Sequence, residues 1–333
     1  MICFGVRFDA IAVFFENEVM RLQCAKITML TQTRIILNII FLGLSAYLVG
    51  CTHTPPVQRT PVESSSAKAL PLKLGLVLGG GAARGFAHVG VIQVLEENGI
   101  RPDLVVGTSA GSLVAAIYAS GKTGAQLQRV AETMEEATFT DWSLPVFNRG
   151  LLRGEALARY VNAQVGGKRL ENMTLPLGVL ATDLASGQGV LFQRGDTGTA
   201  VRASSAVPSV FHPVRIGQHD YVDGGLVSPV PVRYARQMGA NMVIAVDISS
   251  LPENNPSGDT LQILLQTFTI MGKSINNLEL RDAELVVRPE LGGMKGVDFG
   301  SRQRAIEAGR LAMQLALPKL KNLMAGSIVR PVE

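Results

Sequence analysis

The sequence predicts an α/β fold with a mainly parallel central sheet flanked by helices, and three observations carry that expectation. Short apolar runs of strand length alternate with amphipathic segments of helical spacing. Two of the junctions between them are glycine-rich turns, Gly79-Gly80-Gly81 and Gly107-Thr108-Ser109-Ala110-Gly111. The composition is rich in Gly, Ala, Leu and Val, with only 5% aromatic residues, which suits close helix-on-sheet packing better than a β-sandwich. At 333 residues, 47% hydrophobic and 17% charged, the chain can bury a large core.

The first strand is Leu74–Leu78, followed by the glycine turn and a helix over 85–98 with apolar positions at Val89, Ile92 and Leu95. A second strand, Leu104–Val106, leads through the serine-centred turn into a helix that stops at Gly121. Two successive strand–helix units imply parallel strands with right-handed crossovers. Strands follow at Leu177–Thr182 and Val190–Gln193, then a helix over Thr197–Ala206 stopped by Pro208. His212–Ile216 and Asp220–Val222 pair around Gly217-Gln218. A helix from Val232 to Gln237 precedes the buried strand Met242–Ile248; a long helix Leu261–Leu280, a strand Glu284–Arg288 and a helix Ser301–Leu317 ended by Pro318 complete the domain. The segment Asp141–Arg153, with the single tryptophan, reads as a cover over a site.

Residues 1–50 read as a signal peptide, 51–70 as a lipidated cysteine and tether, and 71–325 as one domain. The run Ile35–Val49 follows Arg34 and is short for a spanning helix. Leu48-Val49-Gly50-Cys51 has the form of a bacterial lipobox, with Cys51 as the acylated residue, and Thr52–Ala69 is rich in Pro, Ser and Thr. Acidic residues at Asp9, Glu16 and Glu18 do not suit the basic start of such a peptide, so residues 1–28 read as a mis-assigned extension before Met29. The expected location is the cell envelope, on the periplasmic side of an outer membrane, with membrane lipid as partner. A net charge of +4 with no dense Lys/Arg block argues against nucleic acid. Cys3, Cys24 and Cys51 are the only cysteines, so the body of the chain has no disulfide, thiolate metal site or cysteine nucleophile.

A serine between glycines at a strand-to-helix turn is the form of a nucleophile elbow, and Ser109 is the candidate nucleophile. Acyl transfer also needs a proton acceptor and donors for the developing oxyanion. Gly79, Gly80, Gly81 and Ala110 offer backbone N–H groups, and Arg84 a cation suited to an anionic substrate group. For the base, His88 sits on the first helix and suits packing, while His212, His219 and the carboxylate of Asp223 remain open. A conventional Ser–Asp–His arrangement would use Asp183 with His212 or His219. A dinucleotide fold would need an acidic residue at the end of the second strand, where Gly107-Thr108-Ser109 stands. A non-catalytic lipid-binding lipoprotein is the reading from another class.

Gly79-Gly80-Gly81-Ala82-Ala83-Arg84-Gly85, Gly107-Thr108-Ser109-Ala110-Gly111, Ala203-Ser204-Ser205-Ala206-Val207-Pro208 and Asp223-Gly224-Gly225, in this order, resemble the patatin-like phospholipases. The resemblance covers about residues 72–315. It implies a three-layer fold and hydrolysis of lipid acyl esters through an acyl-enzyme, with no metal or cofactor. It also implies a Ser109–Asp223 dyad without histidine, and an oxyanion hole in the glycine loop. The chain departs from the family's GxGxxG at Ala82, which leaves open whether Ala82 replaces a glycine or the loop is longer. A bare carboxylate is a weak base for a hydroxyl, so Asp223 is expected to be partly desolvated.

Overall fold

The computed structural model describes residues 71–135, 141, 150–254 and 258–327, all within the compact unit Ser66–Glu333. The signal-peptide, lipobox and tether expectations lie outside these residues, as does most of the segment read as a cover.

The strands are β1 (Leu74–Leu78), β2 (Leu104–Thr108), β3 (Gly150–Leu152), β4 (Leu177–Asp183), β5 (Gly189–Phe192), β6 (Ser209–Phe211), β7 (Val214–Ile216), β8 (His219–Asp223), β9 (Met242–Val246) and β10 (Leu285–Val287). The helices are α1 (Ala87–Glu97), α2 (Ala110–Ala119), α3 (Gly124–Thr133), α4 (Glu155–Gln164), α5 (Thr197–Ser204), α6 (Val232–Gln237), α7 (Thr260–Glu279) and α8 (Arg302–Ser327). Eight strands form one sheet in the order β10-β9-β1-β2-β4-β8-β7, with β5 also on β4, and β3 and β6 form a separate parallel pair. Strands β10, β9, β1, β2 and β4 run parallel, whereas β5 and β8 oppose β4.

The three layers follow from the period-2 alternation of the buried strands. Leu74, Leu76 and Leu78 of β1 join Met242, Ile244 and Val246 of β9 in one core, beneath α1, α2 and α8. Val77, Val243 and Ala245 point the other way, into a second core with Val232 and Ala235 of α6.

The register around β4 positions the site. Leu180 pairs with Thr108 of β2 and with Leu191 of β5, so β2 and β5 lie on opposite edges. Ala181 pairs with Val190 of β5 and with Asp223 of β8, so β8 shares the edge used by β2. Strands β2 and β8 therefore meet head-on along one edge of β4. Their last residues, Thr108 and Asp223, abut at consecutive positions of β4.

Two expectations change. Pro318 lies inside α8 rather than ending it; its missing N–H interrupts one turn, and the helix continues to Ser327. The stop at Gly121 is also the approach to another helix, because Thr123 and Gln126 form a capping box at the head of α3. Helix α4 was not anticipated; Asp141 accepts the N–H groups of Gly154 and Ala156 at 2.6 and 2.8 Å and caps its start.

Candidate active site

Ser109 stands between β2 and α2 with φ 53° and ψ −124°, a conformation strained for a residue with a Cβ. The turn is held by close packing. A Cβ on Gly107 would lie 2.5 Å from the backbone of Gly111, and one on Gly111 would lie 2.0 Å from the Leu78 carbonyl oxygen. Both glycines are needed because backbone occupies the space. The Ser109 N–H donates to Ser204 Oγ at 2.8 Å, and the Ser109 carbonyl accepts from Ser112 N at 2.8 Å and Ser112 Oγ at 2.6 Å. Beneath the turn, Thr108 Oγ1 donates to the Ser228 carbonyl at 3.0 Å, and Ser228 Oγ donates to Glu279 Oε2 at 2.6 Å.

The Asp223 carboxyl lies beside Ser109, whose hydroxyl acts to lower its pKa. Asp223 is 6% exposed, and its Oδ1 also accepts from Gly225 N at 2.7 Å. Desolvation pushes its pKa up to about 6, against the lowering effect of the Gly225 N–H and the Ser109 hydroxyl. The backbone of Asp223 is tied on both sides: its N–H donates to Ala206 O at 2.9 Å and its carbonyl accepts from Thr182 Oγ1 at 2.8 Å. The Ala203–Pro208 block thus braces both groups, Ser109 through Ser204 and Asp223 through Ala206. The sequence singled out this block only by resemblance, and Ser204 was not assigned a role.

The glycine loop lies against the nucleophile, with the Cβ direction of Gly80 reaching to 3.2 Å of Ser109 Cβ. Its donors divide in two. Gly79 N–H is committed to Val246 O at 3.0 Å and Gly80 N–H to Pro229 O at 2.9 Å, so neither N–H faces a substrate oxygen in this arrangement. The N–H groups of Gly81, Ala82 and Ala110 have no acceptor among the described residues. Ala82 adopts φ 51°, a conformation glycine takes without cost, so it stands at a glycine-type position.

His88 is fully buried, and its Nε2 lies 2.8 Å from the Gly79 carbonyl oxygen while Nδ1 has no partner. Burial lowers its pKa to about 4, so the ring is neutral, and because a carbonyl only accepts, Nε2 carries the proton. The Gly79–Gly80 peptide is therefore gripped at both ends, its carbonyl by His88 and its N–H by Pro229. Arg84, expected to face an anionic substrate group, also has a scaffolding contact. Its Nε donates to Ile248 O at 2.9 Å, near Asp247, and fixes the loop to the end of β9.

For His219, the histidine alternative separates from the elbow. His219 Nδ1 lies 2.6 Å from Asp183 Oδ2, at the opposite end of β8 from Asp223. Four residues of strand place His219 ~13 Å from Asp223 along β8. The Ser186 N–H, then its hydroxyl and His219, hold the Asp183 carboxyl below its ordinary value. His212 follows β6, its N–H donating to Leu152 O at 2.9 Å.

Comparison with known proteins adds similarities. Residues 76–236 match the model of the patatin-like phospholipases. An uncharacterized NTE family protein of Mycobacterium tuberculosis is 34% identical over 188 residues, 56% of this chain and 52% of the relative. Patatin-like phospholipase domain-containing protein 6 of Mus musculus is 35% identical over 198 residues, 56% of this chain and 14% of that protein. The chain spans about half the length of the mycobacterial relatives it matches. The crystal structure of VipD from Legionella pneumophila superposes with a TM-score of 0.51 at 16% identity, covering 75% of this chain and 67% of that one, a likeness of fold. Residues 76–236, which contain the elbow, the glycine loop and Asp223, are thus similar to the patatin-like phospholipases.

Proposed function

We propose that the protein is a serine acyl hydrolase of lipid esters, acting through a Ser109–Asp223 dyad. The observation that carries this is the register of β4, which abuts the ends of β2 and β8 and sets the half-buried Ser109 beside the buried Asp223 carboxyl. Burial makes Asp223 a better base than an ordinary aspartate, close to what catalysis near neutral pH requires. Ser109 Oγ attacks the ester carbonyl as its proton passes to Asp223. The oxyanion that forms sits at the head of α2 and the glycine loop, where Gly81, Ala82 and Ala110 have N–H groups to give. Collapse expels the alcohol, which takes the proton from Asp223, and leaves Ser109 acylated. Water then attacks the acyl group, giving its proton to Asp223, and Ser109 leaves with that proton as the fatty acid departs.

The substrate class is a membrane lipid ester, an inference from the family likeness and the catalytic groups. The test is fatty-acid release from phospholipid and lysophospholipid by the full chain, with fluorophosphonate labelling of the active serine. Ser109→Ala should abolish both. Labelling that survives Ser109→Ala would refute the assignment, and a folded wild type that neither labels nor releases acid would favour the non-catalytic lipid binder. Membrane attachment through acylated Cys51 forms part of the same proposal, and loss of incorporated palmitate in Cys51→Ala checks it.

A further inference from the structure

Helix α7 exposes several large apolar side chains alongside the polar Thr267, Ser274 and Asn277. Between Leu261 and Leu278 its single charged residue is Lys273, and Ile263, Ile270, Met271 and Leu278 are exposed at 55%, 52%, 49% and 65%. With successive helical residues ~100° apart, these four fall within one arc of roughly 100°. The residues the helix buries are Gly272, Asn276 and Glu279, on the opposite side. Gly272 meets Pro229, Asn276 Nδ2 donates to Ser249 Oγ at 2.9 Å, and Glu279 accepts from Ser228 Oγ at 2.6 Å. The helix is thus seated by polar and small contacts on the segment that follows Asp223. No described helix is long and apolar enough to cross a membrane.

We infer that α7 is the face by which the domain docks on a lipid bilayer. The inference rests on the proposed activity, since a lipid hydrolase must bring its nucleophile to a lipid surface. Three features favour lipid over protein as the occupant. The outward arc carries no carboxylate of its own, and Lys273 at its flank, paired with Glu253 Oε1 at 3.4 Å, keeps about half of its side chain open to anionic headgroups. Four half-exposed side chains present roughly 400 Å² of apolar surface, about half of the ~800 Å² per partner of a stable protein interface. The helix also packs beside Gly224–Leu226, so docking on it sets the Asp223 segment next to the lipid. By contrast, the exposed Leu311 and Leu315 lie on α8 among Arg304, Glu307, Arg310, Lys319 and Lys321.

The apolar run Ile35–Val49 can itself bind vesicles, so the test needs a local readout in the full chain. Hydrogen exchange is followed with and without phosphatidylethanolamine–phosphatidylglycerol vesicles, together with the ratio of hydrolysis of those vesicles to that of p-nitrophenyl butyrate. Lipid-dependent protection of 261–279 is expected, and Ile270→Glu with Met271→Glu should lower the ratio at least tenfold. Leu311→Glu with Leu315→Glu should leave it unchanged. No added protection, or a ratio within twofold of wild type in the α7 variant, overturns the docking role. So does protection that follows protein concentration instead of lipid, which would mean that a second copy covers α7. If wild type cleaves neither substrate, the hydrolase assignment falls, and lipid-dependent protection alone decides for or against docking.

Discussion

Replacing Asp223 by Asn should make the protein less active and, above pH 6, more stable. Folding takes Asp223 out of water and moves its pKa from 3.8 to about 6. Two units correspond to about 3 kcal/mol between the protonation states. Because the folded pKa is the higher one, the native state binds more protons than the unfolded chain between these values. Stability therefore falls as pH rises through that window, and the full cost of about 3 kcal/mol is present above pH 6. The neutral amide keeps an oxygen for the Gly225 N–H and does not incur that cost. Urea unfolding of wild type and Asp223→Asn at pH 4 and pH 8 should therefore show a gap that widens in favour of the variant by up to about 3 kcal/mol. The same substitution removes the base and should lower kcat/KM by ~10²–10⁴. The wild-type kcat/KM should fall on acidification with a midpoint near 6, as Asp223 becomes protonated. An equal stability difference at both pH values would refute the desolvation argument. Retained activity with the same acid limb would remove Asp223 from the mechanism.

Three further outcomes follow from the geometry. His219→Ala should leave kcat within twofold of wild type, because its partner is Asp183 at the far end of β8; a loss above a hundredfold would restore a Ser–Asp–His arrangement. His88→Leu leaves the buried Gly79 carbonyl without a donor, a cost of about 1–3 kcal/mol, and should lower kcat with little change in KM as the glycine loop loosens. His88→Gln, which restores an N–H, should recover part of that rate, and equal losses in both variants would reduce His88 to packing. Gly111→Ala drives a Cβ to 2.0 Å from Leu78 O, and thermal unfolding should shift down by on the order of 10 °C. An unchanged midpoint would mean that the elbow is not packed as described.

Much of the framework was legible in residue order. Alternating apolar runs have one stable use in a large domain, a sheet covered on both faces, and the glycines mark turns where other backbone must approach. The misreadings share a cause. Helix α3 went unread because Gln126, the capping partner of Thr123, acts only once the helix forms, and Pro318 looked like a stop because a proline weakens a helix locally. Packing of α8 against α1 and the sheet outweighs that local cost.

Residue types alone marked Ser109 as a nucleophile, the Gly79–Gly81 loop as its companion and Asp223 as one of several candidate bases. Which candidate meets the serine was decided by the register of β4, where Leu180 and Ala181 bring the ends of β2 and β8 together and send His219 to the far end. Tertiary structure also divided the loop's donors, committing Gly79 and Gly80 to neighbouring carbonyls and leaving Gly81, Ala82 and Ala110 without an acceptor among the described residues. The physical reason is common to both. A sequence specifies which groups can donate, accept or ionise, but pairing and desolvation depend on neighbours more than a hundred residues away, such as Asp223 for Ser109 and Pro229 for Gly80.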